Sequence, residues 1–344
     1  MSEHTILQAT QAEILAGLDK ASSEYQIAAL TKKKDDQRIL FDVVESSKEI
    51  EMQYAPTVLS PKKFFFPQEE VFLEYTADGT IAPAIEADPL VLFGLHPCEA
   101  HALQIMDEAF AESHGDPNYL AKREQAVVIC LDCKEVCDDN AFCYRVNSNY
   151  ADEGFDLMLH ELNGAYAITV KTDKGQKFVD TYIATQAVDQ AAFDKFQQAK
   201  QEAFRPYAAF NGLDKLPEIF EANKEHPIWK QEGDRCLSCG SCIMVCPTCY
   251  CFDVADELKL NLQQGQRIRR WDACMLSAFA RVAGGENFRE EVEERLKHRI
   301  YRKFDYLMAK HEQAVCVGCG RCVRACLAEI SPKTIVEAIT GEPA

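Results

Sequence analysis

Six cysteines fall within residues 235–254, in the stretch RCLSCGSCIMVCPTCYCFDV. Four of them are spaced Cys236-x2-Cys239-x2-Cys242-x3-Cys246, with Pro247 next. A second run, Cys316-x2-Cys319-x2-Cys322-x3-Cys326, repeats that spacing. It is the pattern of bacterial two-cluster iron–sulfur proteins, where three thiolates of a run hold one [4Fe-4S] cluster and the fourth reaches the other. It assigns Cys236, Cys239, Cys242 and Cys326 to a first cluster, and Cys316, Cys319, Cys322 and Cys246 to a second. Gly240 and Gly320 follow the second cysteine of each run, where a missing Cβ lets the backbone bend toward a cluster. Arg235, Arg321 and Arg324 can partly offset cluster charge. Two zinc sites are the competing reading, but zinc sites seldom repeat this four-cysteine spacing. Leu327 stands where a proline often follows the fourth cysteine, which loosens the turn and removes no ligand.

A third group lies upstream: Cys98 in GLHPCEAHAL, then Cys130, Cys133, Cys137 and Cys143. The apolar run 90–95 reads as a buried strand, and Cys98 opens the helix after it. That places Cys98 at the carboxyl end of a strand, where α/β sheets bind ligands. Helix N–H groups there favour a thiolate and an anionic cluster. Cys133, Cys137 and Cys143 follow a second buried strand, 126–131, and can meet Cys98 at the same sheet edge. The expectation is a third [4Fe-4S] cluster on Cys98, Cys133, Cys137 and Cys143, although this spacing is not a general motif. Cys130 falls inside the strand pattern and reads as a buried apolar thiol.

The elements that must position these groups divide the 344 residues into three expected domains. Residues 1–85 read as a small α/β unit, residues 86–224 as an α/β cluster-binding domain, and residues 225–344 as an α-helical two-cluster ferredoxin-like domain. The fold class is α+β. In the first part, residues 11–18 are helix-like, and Thr10 with Glu13 has the spacing of a capping box. Residues 25–30 and 38–44 read as strands around the turn signal KKKDD. The aromatic stretch 58–75 reads as a core-anchoring loop broken by Pro61 and Pro67. Residues 102–110 carry a helical apolar face, residues 155–162 and 166–170 a hairpin turning at Asn163-Gly164, and residues 190–204 a helix. Phe288, Val292, Leu296, Ile300, Phe304 and Leu307 form one apolar stripe on a long charged helix with Asn287 as its N-cap.

Composition narrows the function. The chain is 47% hydrophobic and 27% charged, as folded proteins are. No apolar run approaches a membrane span and the first residues do not read as a secretory signal, so a cytoplasmic location is expected. A net charge of -18 argues against nucleic acid as a partner. Sixteen cysteines in a reducing compartment read as metal ligands rather than disulfides. No G-x-G-x-x-G follows a strand, and there is no P-loop and no H-E-x-x-H. No catalytic residue is therefore assigned, and the chain is expected to conduct electrons for chemistry done elsewhere.

PKKFFFP, GLHPCEAHAL, CLDCKEVCDDNAFC, CLSCGSCIMVCPTCYCFDV, RIRRWDACM, RVAGGENFR and CVGCGRCVRAC occur in that order. Together they resemble the β subunit of cytoplasmic nickel–iron sulfhydrogenases, and equally the iron–sulfur subunit of anaerobic sulfite reductase, over residues 55–332. The resemblance implies three [4Fe-4S] clusters, with the upstream one on Cys98, Cys133, Cys137 and Cys143. It also implies electron relay between an FAD- and NAD(P)-binding partner and a catalytic subunit, of nickel–iron hydrogenase or sirohaem sulfite reductase type. His96 and Glu99 stand where such subunits often have Arg and Asp. Cys249, Cys251 and Cys274 are left over and read as buried thiols beside a cluster. The alternative function is a self-sufficient sulfur or polysulfide reductase that uses these three. Arg267, Arg269 and Arg270 read as a docking patch or as a solvated helix end.

Overall fold

The computed structural model describes residues 5–33, 36–53 and 56–342. In chain order its first elements are β1 (Ile6–Thr10), α1 (Gln11–Ala21), β2 (Gln26–Lys33), β3 (Asp36–Val43), β4 (Glu69–Thr76), β5 (Ile81–Pro83) and β6 (Leu90–Leu95). Next come α2 (Pro97–Ala111), α3 (Pro117–Gln125), β7 (Ala126–Leu131), β8 (Leu157–Glu161), β9 (Ala165–Val170), α4 (Asp173–Tyr182), β10 (Gln186–Ala187) and α5 (Gln190–Phe204). The remainder is α6 (Leu216–Ala222), α7 (Ile228–Arg235), α8 (Ser241–Met244), β11 (Phe252–Leu258), β12 (Gln264–Trp271), α9 (Val292–Phe304), α10 (Tyr306–His311), α11 (Arg321–Arg324) and α12 (Pro332–Thr340).

The chain forms two compact units, and neither is continuous in sequence. The first comprises residues 1–65, 85–139 and 148–207. Its eight-stranded sheet runs β10-β1-β9-β8-β7-β6-β2-β3. The central strands β2, β6, β7 and β8 are parallel and the flanking pairs antiparallel. β6 and β7 are buried at every position, which fits their unbroken apolar runs, LVLFGL and AVVICL. Val91, Phe93, Val127 and Ile129 pack with Ile14 and Leu18 of α1 and with Phe178 and Val179 of α4. The capping box at Thr10 is present: the Thr10 N–H donates to Glu13 Oε2 at 2.7 Å, and the Glu13 N–H to Thr10 Oγ1 at 3.2 Å. The hairpin β8–β9 turns through Gly164 at φ 81°, a left-handed value suited to glycine. Part of the KKKDD turn lies outside the described residues.

The second unit comprises residues 66–84, 140–147 and 208–344. A helical core surrounds Phe220, Trp229, Leu296, Ile300, Tyr301 and Phe304. Two buried polar atoms in it are satisfied by backbone carbonyls. Trp229 Nε1 donates to Asn223 O at 3.1 Å, and the Tyr301 hydroxyl to Phe220 O at 2.8 Å.

Three expectations are corrected. The division near residue 85 is not observed, because β2 pairs with β6 and ties residues 1–65 into the same sheet as the following strands. The C-terminal region is not purely helical. β11 and β12 form a hairpin in a four-stranded antiparallel sheet ordered β11-β12-β4-β5. RIRRW therefore lies on a strand, not a helix end. Arg267 and Arg270 are ion-paired and half-exposed, whereas Arg269 is buried and donates to Glu70 at 2.5 Å; the β12–β4 register shifts between Arg267 and Ile268, so residues two apart need not share a face. Finally, the long helix starts at Val292 after Glu291 and stops at Asp305, whose φ -133° and ψ -87° break it before α10. Asn287 instead caps a turn, its Oδ1 accepting the Arg289 N–H at 3.1 Å, and Phe288 is exposed.

Candidate metal centre

Both downstream cysteine runs fold alike. α7 ends at Cys236, a loop carries Cys239, and Gly240 at φ 78° caps the four-residue helix α8 that carries Cys242. In the second run Gly320, at φ 71°, caps α11, which carries Cys322. The turns close with matching bonds. Ile243 N–H donates to Gly240 O at 2.9 Å and Val323 N–H to Gly320 O at 3.0 Å. The fourth cysteines follow, Cys246 N–H donating to Ile243 O at 3.2 Å and Cys326 N–H to Val323 O at 3.0 Å.

The second run's last cysteine lies with the first run. Cys236, Cys239 and Cys242 line one cleft together with Cys326, from the other run. Leu237, Met275, Leu296 and Ile330 make its apolar wall, and Arg299 reaches it. Backbone N–H groups already point at sulfur: Ser238 N–H to Cys236 Sγ and Ile330 N–H to Cys326 Sγ, both at 3.4 Å. Cys246 lies near enough for its charge to bear on Cys316 and Cys322, and on Cys242 as well. Burial, then the charge of Cys322, pushes the Cys316 thiol up, with Cys246 adding to the rise. Cys322 is pushed up to about 11 by burial, with Arg299 opposing and Cys246 and Cys319 adding to the rise. None of the sixteen cysteines forms a disulfide.

The charges around these thiols test whether an iron–sulfur group fits. Arg295, Arg299 and Lys303 recur at i, i+4 and i+8 on α9 and are 3%, 4% and 7% exposed. Among the described residues no carboxylate pairs with any of them. Arg295 Nε donates to Met275 O at 3.0 Å and Nη2 to Ser238 Oγ at 3.0 Å. Lys303 Nζ donates to Thr248 Oγ1 at 2.6 Å and to Thr248 O at 3.1 Å. Arg299 Nε is buried without a hydrogen-bond partner. Three buried cations without counter-ions are costly in a dry core. A net-anionic group held by the converging thiolates removes that cost, so the residues fit such a group. Among the described residues no three His, Cys, Asp or Glu side chains converge on a single ion. The sequence carried this signal as RLKHRIYRK, a basic stripe adjoining the apolar one, and reading only the apolar stripe missed it.

The upstream cysteines occupy both units. Cys98 is buried in the first turn of α2, and Cys133 is buried just after β7. Cys137 is exposed, with His96 Nδ1 3.6 Å from its sulfur, and lines a cleft with Cys133 and His96. Glu99 is buried and its Oε2 accepts the His96 N–H at 3.1 Å. Asp132, before Cys133, is held by His160 Nδ1 at 2.9 Å and by Lys200 Nζ at 2.5 Å. Burial alone would raise its carboxyl, but those two partners hold it below the ordinary value. Cys143 belongs to the second unit, in the turn Cys143–Val146. Arg145 anchors that turn, donating to Ala208 O at 3.0 Å and contacting Glu337 and Glu342.

Cys130 is fully buried within β7, and burial raises its thiol well above the ordinary value. Cys249 and Cys274 are buried and Cys251 half-buried at the base of the β11–β12 hairpin. Hydrogen bonding from Cys274 lowers the Cys251 thiol and raises that of Cys274. Arg235 pairs with Glu232 at 2.8 Å, and Arg324 Nη2 donates to Cys319 O at 2.8 Å. Among the described residues no helix is long and apolar enough to cross a membrane.

The 4Fe-4S dicluster domain family matches residues 235–330. The β subunit of sulfhydrogenase 2 from Pyrococcus furiosus is 33% identical over 307 residues, covering 87% of this chain and 88% of that one. A chain of the F420-reducing [NiFe] hydrogenase complex from Methanosarcina barkeri covers 58% of this chain and 88% of its own length, at 12% identity and a TM-score of 0.36, a likeness too weak to argue from. On the length and identity of the first match, this chain belongs to the sulfhydrogenase β-subunit family.

Proposed function

We propose that this chain is the iron–sulfur electron-transfer subunit of a multi-subunit oxidoreductase of hydrogenase type. It relays electrons between an FAD- and NAD(P)-binding subunit and a catalytic subunit, of nickel–iron hydrogenase or sirohaem sulfite reductase type. The observation that carries the reading is the cleft where Cys326 joins Cys236, Cys239 and Cys242 beside cations that have no carboxylate. Three [4Fe-4S] clusters are assigned: one on those four thiolates, one on Cys316, Cys319, Cys322 and Cys246, and one on Cys98, Cys133, Cys137 and Cys143. Bound there, the clusters supply reversible one-electron storage. The chain's own residues do the rest. Thiolates fix the groups, N–H donors at Ser238 and Ile330 stabilise charge on sulfur, and apolar walls exclude water. No residue takes a catalytic role.

The test is iron and sulfide content after anaerobic reconstitution, expected at about twelve of each per chain. A plateau near eight would remove the third cluster. Cys246→Ser should abolish the spectroscopic signal that Cys322→Ser abolishes; loss of the signal that Cys236→Ser removes would overturn the exchange of ligands.

A second reading rests on Cys251, whose thiol is lowered by Cys274 with Arg302 and Lys303 nearby. A reactive thiolate suits sulfur reduction by the chain alone. Assaying the isolated chain with polysulfide and a chemical reductant separates the two, since a pure relay gives no turnover.

A further inference from the structure

The three buried cations of α9 are not equivalent. Arg295 reaches only the first cysteine run, through Ser238, which lies between Cys236 and Cys239. Lys303 reaches only the second ligand set, through Thr248, whose Oγ1 is 3.5 Å from Cys246 Sγ. Arg299 lies between them on the same helix face, one turn from the residue that reaches the first run and one turn from the residue that reaches the second. It lines the first cleft beside Cys242, and the charges of Cys242, Cys322 and Cys246 all bear on it. It donates no hydrogen bond to a carboxylate, and its Nε has no hydrogen-bond partner. A guanidinium stays charged in a protein, so this position holds a permanent cation.

We propose that Arg299 is a positioning residue that sets the potentials of both downstream clusters in concert. The physical ground is direct. Reduction adds negative charge to a cluster, and a nearby buried cation in a low dielectric favours the reduced form. One cation shared by two clusters raises both potentials together and screens the repulsion between their charges. The inference rests on the ligand sets proposed above.

The experiment is an EPR-monitored redox titration of the reconstituted chain carrying Arg299→Gln, with Lys303→Gln in parallel and iron content measured on every sample. In Arg299→Gln both downstream signals should move to more negative potential. In Lys303→Gln only the second should move. A shift of one signal alone in Arg299→Gln, or of neither, would overturn the proposal. Should the glutamine variant load incompletely, Arg299→Lys, which keeps the charge, should load fully; incomplete loading of the lysine variant as well would show that charge is not what the site requires. Wild-type protein that lacked the downstream clusters altogether would instead refute the cluster assignment, so the two failures are distinct.

Discussion

Gly318→Ala should disable part of the centre through backbone contact alone. Gly318 has φ +57°, and a Cβ there would lie 2.5 Å from Phe142 C and 2.6 Å from Cys143 N. These are backbone atoms, so no side chain can swing away. The gap falls about 0.9 Å short of ordinary contact. The two loops are also bonded, Phe142 N–H donating to Gly318 O at 2.7 Å, so separating them sacrifices that bond. The left-handed backbone adds about 1–2 kcal/mol for a residue with a Cβ, and overpacking adds about 1–3 kcal/mol. The expected loss is therefore about 2–5 kcal/mol. Metal ligands tolerate displacements of about 0.5 Å. Cys316 and Cys319 flank Gly318, and Cys143 lies against it, so under the proposed assignment ligands of the second and third clusters would be disturbed while those of the first would not. Denaturant unfolding of reconstituted protein measures the loss, and EPR identifies the surviving cluster. Gly284→Ala is the control, because no atom lies within 4 Å of its added Cβ. A Gly318→Ala protein as stable as Gly284→Ala and with full iron would refute the reasoning.

Two further outcomes are expected. Arg269→Met removes the cationic half of the buried Arg269–Glu70 ion pair and should cost about 3–5 kcal/mol, and Glu70→Leu added to it should recover part of that in the same denaturation assay. Burial, reinforced by Arg289 and Arg302, lowers His298 to about 4, so it is neutral in the folded chain. A base whose folded pKa is depressed lends stability that is full above its unfolded value of about 6.5 and falls as pH drops toward its folded value. The denaturation midpoint of wild type should fall over that interval, and His298→Gln should flatten the slope.

What was legible follows from how local each signal is. The cysteine runs declared themselves because cluster ligation fixes ligand spacing along the chain. β6 and β7 were legible because strands buried on both faces are apolar throughout. The capping box at Thr10 and the turn at Gly164 are equally local. The joining of residues 1–65 to the larger sheet was not legible, because the pairing of β2 with β6 crosses about sixty residues and no local pattern encodes it. The β11–β12 hairpin was hidden by its charge. Arg267 and Arg270 look solvated in sequence, and only their pairing with Asp256, Glu69 and Glu257 shows why they sit on a sheet. Arg295, Arg299 and Lys303 were missed because basic residues on a charged helix normally face water. Their burial makes sense only beside a group that brings negative charge.

The relay itself is tested most directly by adding NADH or NADPH anaerobically to the isolated, reconstituted chain and following the iron–sulfur absorbance. The sequence carries no dinucleotide fingerprint, and hydride chemistry needs a protein that holds the nicotinamide against a flavin. The account predicts no bleaching by the chain alone and prompt bleaching once the co-purified flavin-binding subunit is restored. Rapid bleaching of the isolated chain without any flavoprotein would contradict it.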